Sequence, residues 1–63
     1  METKFKLHED GVTGYKFPPL PEPIMSMYQG EETEVAPGSE EMGRANDALR
    51  FGEDIDEKKY SEL

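Results

Sequence analysis

A chain of 63 residues with 15 acidic and 7 basic side chains, net −8, and no cysteine makes one small domain at most and excludes a disulfide framework or a cysteine-based zinc site. The acidic balance excludes binding to nucleic acid through its phosphates, which takes clustered lysine and arginine, and disfavours anionic membrane surfaces. Val, Ile, Leu and Phe make up roughly 17% of the chain, under the roughly 20% level that goes with disorder at high net charge. Composition therefore predicts a small, mostly irregular and extended chain with little independent core.

The charge is uneven. Residues 1–30 carry four acids and three bases, whereas residues 31–63 carry eleven acids and four bases. The prolines and aromatics sit mainly in the first part, so the chain divides into an adhesive half (1–30) and an acidic half (31–63).

Residues 4–17 suit a β-hairpin. Phe5 and Leu7 alternate with polar neighbours, Tyr15 and Phe17 flank Lys16, and Asp10-Gly11 between them is a turn dipeptide. Such a hairpin needs a surface to cover its apolar side chains. Prolines at 18, 19, 21 and 23 then fix φ and remove backbone donors, which predicts a polyproline II rod over 18–23. Residues 24–28 continue as an apolar patch, and Glu31 to Gly38 reads as a solvated acidic linker. Over 39–51 a helix is predicted, with Ser39 as N-cap, Glu40 and Glu41 in the first turn, Arg50 in the last and Gly52 just beyond. Met42, Ala45 and Leu49 form its apolar stripe. The tail from Glu53 to Leu63 suits one or two further helical turns.

Chemistry-bearing constellations are sparse. His8 is the only histidine, and acid/base work by carboxylates needs a cleft that separates their pKa values. Asp54, Asp56 and Glu57 resemble the opening of a calcium loop, but Lys58 and Lys59 stand where a ligand and a glycine belong. No catalytic residue, cofactor or metal site is therefore expected. The expected contact residues are Tyr15, Phe17, Pro18, Leu20, Ile24, Met25, Met27 and Tyr28, with Met42 and Leu49 as a second anchor on the helix. Without a signal-peptide pattern or an apolar run near the ~20 residues of a membrane span, the expected setting is cytoplasmic or an intracellularly assembled particle such as a virion.

Phe17-Pro18-Pro19-Leu20-Pro21 resembles the ligands of EVH1 domains, and Pro18 to Pro21 those of WW domains, both of which read polyproline II rods on aromatic grooves. Tyr60-Ser61-Glu62-Leu63 resembles a PDZ ligand and a tyrosine sorting signal. The leading expectation is a non-catalytic accessory subunit that folds on, and staples, a larger protein assembly through 15–28 and the helix. An acidic mimic of DNA that occupies a basic cleft, and a proline-motif peptide ligand, are the alternatives.

Overall fold

A computed structural model describes residues 2–63. Its elements are β1 (Lys4–Leu7), β2 (Thr13–Phe17), β3 (Met25–Tyr28), β4 (Glu31–Glu34), α1 (Glu40–Phe51), β5 (Glu53–Ile55) and α2 (Glu57–Ser61). The strands form one antiparallel sheet in the order β4-β3-β2-β1-β5. The expectation of a mostly irregular chain without a core, folding only on a partner, is thereby corrected. The physical reason lies in what fills the interior. Tyr15, Val35, Ala45 and Ala48 are buried at its centre, with Phe17, Ile24 and Met42 packed against them. One tyrosine and two alanines carry much of that core, and a count of Val, Ile, Leu and Phe does not see them.

Cross-strand partners share a face of the sheet. Lys6, Tyr15 and Ser26 are in register, as are Phe5 and Lys16, and Leu7 and Gly14. The 4–17 hairpin therefore sends Tyr15 and Phe17 to one face and Phe5 and Leu7 to the other. Helix α1 covers the first face and α2 the second. The rings of Phe5 and Tyr60 meet on that second face, centroids 5.2 Å apart.

Three further expectations are corrected. Residues 18–23 do not form a rod: the Glu22 N–H donates to the Pro19 carbonyl at 3.2 Å around a cis Leu20–Pro21 bond, the arrangement of a type VI turn, and the chain doubles back from β2 to β3. The first part of the expected acidic linker, Glu31–Glu34, is an edge strand, because Gln29 and Gly30 both take left-handed φ (50° and 78°) and close a two-residue hairpin. The tail begins with β5, paired to β1, before one short helix.

Helix α1 begins as its sequence dictates. The Ser39 hydroxyl oxygen accepts from the Met42 N–H at 3.3 Å, and the Gly52 N–H closes the last turn on the Ala48 carbonyl at 2.8 Å. Its buried stripe, however, is Ala45 and Ala48 beside Met42, while Leu49 is 41% exposed. Small side chains on that stripe let the helix approach the sheet over Tyr15. On the opposite side Asp56 caps α2 by accepting from the Lys59 N–H at 2.8 Å, Tyr60 is buried, and the Leu63 carbonyl accepts from the Gly30 N–H at 2.8 Å. Among the described residues no helix is long and apolar enough to cross a membrane.

Candidate functional site

The structure scatters the expected contact residues. Tyr15 is wholly buried under α1 and reaches no partner, while Phe17 packs half-buried against the core. Met25 and Met27 pair with Lys16 and Gly14 and so lie on the α2 face. Tyr28, 47% exposed, stands at the far end of β3 from the proline turn. Leu49 lies outside the α1 stripe, and Pro18 flanks a smaller hollow with Lys16 on the reverse of the turn.

Three of them do converge. Leu20, Ile24 and Met42 line an open groove of about 390 Å³ between the proline turn and the start of α1. Val35 completes its apolar surface, with prolines 21, 23 and 37 among its walls. Each element has a reason to be there. The Val35 N–H bonds the Ile24 carbonyl at 2.8 Å, which extends the β3–β4 ladder and sets both side chains beneath the turn. The Ser39 cap then delivers Met42 from the helix side. Leu20, at the tip of the turn, is 87% exposed, the most exposed of the large apolar side chains. Two carboxylates, Glu22 and Glu34, line the same groove, and among the described residues no lysine or arginine does.

Val35 and Pro37 were not expected in a site. The one signal for them was an isolated valine between an acidic run and Ala36-Pro37-Gly38, where a linker has no need of an apolar side chain.

A second, polar cleft of about 310 Å³ lies between the sheet and α1, bordered by Thr13, Ser26, Thr33, Glu41 and Arg44 among others. Its rim is set by Asp10. The carboxylate accepts from the N–H groups of Val12 and Thr13 (2.9 and 3.0 Å), from the Thr13 hydroxyl (2.8 Å) and from Arg44 (2.8 Å). Burial opposes its charge, but the N–H bonds, the Thr13 hydroxyl and nearby His8 outweigh burial and lower its pKa to about 2. The Tyr15 phenol is pushed up to about 12, first by burial and then by the charge of Glu41. Among the described residues its hydroxyl has no hydrogen-bond partner, although Glu41 and Arg44 are its charged neighbours. His8 is held locally, its Nδ1 accepting from the Asp10 N–H at 3.2 Å. These contacts tie the β1–β2 loop to α1 and fix the helix that forms one wall of the apolar groove.

No protein-family model matches the chain, nor does any curated protein or solved structure.

Proposed function

We propose that the protein is a non-catalytic accessory module that attaches to a larger protein through the groove between its proline turn and α1. The observation that supports this reading is the convergence of Leu20 and Ile24, from the proline turn, with Met42, from α1, on one apolar groove in which Leu20 is left 87% exposed. A large apolar side chain held out at the tip of an ordered turn is the form of an interface anchor, which gains most when a partner removes it from water. The module docks already folded, so little chain ordering opposes binding.

The test is co-purification of the intact protein and of a Leu20→Ser variant from its native source at low and high salt. The reading expects a defined partner that survives high salt and is lost, or bound at least about tenfold more weakly, with Leu20→Ser. Retention by the variant together with loss in high salt would instead make the carboxylates the working surface, as in a mimic of DNA.

A further inference from the structure

The groove opens onto the edge of the sheet, and the hairpin decides which backbone groups that edge presents. In a two-residue hairpin the pair flanking the turn, here Tyr28 and Glu31, is hydrogen-bonded, and bonded and non-bonded pairs then alternate. Ser26 with Thr33 and Ile24 with Val35 are the next bonded pairs, as the 2.8 Å bond from Val35 to Ile24 shows. Glu32 and Glu34 therefore turn their N–H and C=O groups away from β3. Strand β4 is the last of the sheet, and among the described residues nothing bonds those groups.

The side chains along this edge select what can pair with it. Glu31, Glu32 and Glu34 put three carboxylates on a four-residue strand, and Glu22 stands across the groove. Two copies of β4 laid side by side would set glutamate against glutamate, which opposes self-pairing. The same row attracts lysine and arginine. The edge runs directly into the groove, because Glu34 ends β4 and also lines the groove.

We infer that the β4 edge and the groove are one docking surface for an extended, cationic segment of a partner protein. The segment adds a sixth strand by bonding the backbone of Glu32 and Glu34. Its lysine or arginine side chains meet Glu32 and Glu34, which share one face of the sheet, and an apolar side chain at its end enters the groove against Leu20, Ile24, Val35 and Met42. Strand addition of this kind takes affinity from the backbone and specificity from alternate side chains. The inference rests on the reading of the groove as a protein-binding site and adds the shape and charge of the occupant.

The experiment uses the intact isotope-labelled protein and three synthetic peptides. The first alternates lysine and valine and ends in leucine, the second has every lysine replaced by glutamate, and the third is the first with N-methyl groups at alternate backbone positions. Titration followed by amide shifts and hydrogen exchange should show the Glu32 and Glu34 amides protected by the first peptide, with the Met42 methyl moving alongside. The glutamate peptide should not bind, and N-methylation in the register that faces β4 should weaken binding at least about tenfold. Equal binding of the N-methylated peptide, or unprotected Glu32 and Glu34 amides in a saturated complex, overturns strand addition. Equal binding of the glutamate peptide overturns the cationic occupant. In either case a Met42 methyl that still moves, and binding that Leu20→Ser still abolishes, would leave the groove standing as a protein site. Binding unaffected by Leu20→Ser would remove that reading too.

Discussion

Tyr60 and Glu32, 28 residues apart, are joined by a hydrogen bond in which the phenol O–H donates to a carboxylate oxygen at 2.7 Å. The bond ties α2 to the acidic edge strand across the second face of the sheet. Burial, with that bond and the charge of Glu32, holds the Tyr60 phenol well above its ordinary range. Tyr60→Phe keeps the ring against Phe5 and removes only the hydroxyl. It should cost about 1 kcal/mol, since the acceptor is largely solvated and regains water. Urea denaturation of the two proteins measures it, and a loss near 3 kcal/mol would mean that the bond does more than clamp the helix.

The Tyr15 hydroxyl presents the opposite case, a buried group with no partner. Tyr15→Phe removes a group that folding leaves unsatisfied. It should be neutral or stabilise by up to about 1 kcal/mol, with the core otherwise unchanged. A clear destabilisation would show that the hydroxyl is bonded to Glu41 in solution.

Stability should fall at both ends of the pH range, for opposite reasons. The Asp10 carboxyl, lowered from 3.8 to about 2, is favoured in its charged form by the fold. Its contribution is complete above about pH 4 and is lost as pH falls through about 2; partial exposure limits it to about 1–2 kcal/mol. Tyr15, raised from 10.0 to about 12, is favoured in its neutral form. That contribution is complete below about pH 10 and is lost as pH rises through about 12. Denaturation midpoints across pH give both limbs. Asp10→Asn should flatten the acid limb alone, and Tyr15→Phe should reduce the alkaline one.

Two glycines of the α1 region should respond in opposite directions to alanine. Gly43 faces open space within the helix, so Gly43→Ala should stabilise by about 0.5–1 kcal/mol. At Gly52 an added methyl would run into the backbone carbonyls of Ala48 and Leu7, where α1 ends against β1. Gly52→Ala should cost about 2 kcal/mol or more, because backbone on both sides has to move. Thermal melts distinguish the pair.

The free chain should be folded. Hydrogen exchange of the isolated protein should protect amides of β1, β2 and β3 most, since β2 and β3 are interior strands and β1 is covered by β5. Leu20→Ser should leave that pattern and the stability within about 0.5 kcal/mol, since Leu20 is 87% exposed. Random-coil amide shifts in the absence of a partner would contradict the fold.

Local signals were legible where a single segment carries its own instruction. Ser39, the two glutamates after it and Gly52 mark the ends of α1, and Phe5 to Phe17 shows the alternation of paired strands. What the sequence conceals is cooperative. Glu31 to Glu34 has poor strand character, and only a tight turn that sets it against Met25 to Tyr28 makes it one. Four prolines suggest a straight rod, yet local φ limits leave the path between β2 and β3 open to a turn. The groove is hidden for the same reason. Leu20 and Met42 stand out singly, but their meeting depends on Val35, whose burial follows from a pairing the linker reading did not contain. Leu49 misled because Met42, Ala45 and Leu49 and Met42, Ala45 and Ala48 are both acceptable helical stripes, and the sheet takes the one with the smaller side chains.

Strand β5 lies beside β1, although the two stand at opposite ends of the order in which the strands are made. Strands β1 to β4 form a simple meander, each paired with the next, and among the described strand pairings Phe5 to Leu7 with Glu53 to Ile55 is the one that joins early chain to late. On the ribosome, β1 therefore remains an open edge until β5 has emerged, and Phe5 stays uncovered until Tyr60 of α2 follows. The acidic row along β4 guards one side of the nascent sheet from sticking to its neighbours, while the other side is shielded only once β5 has been made.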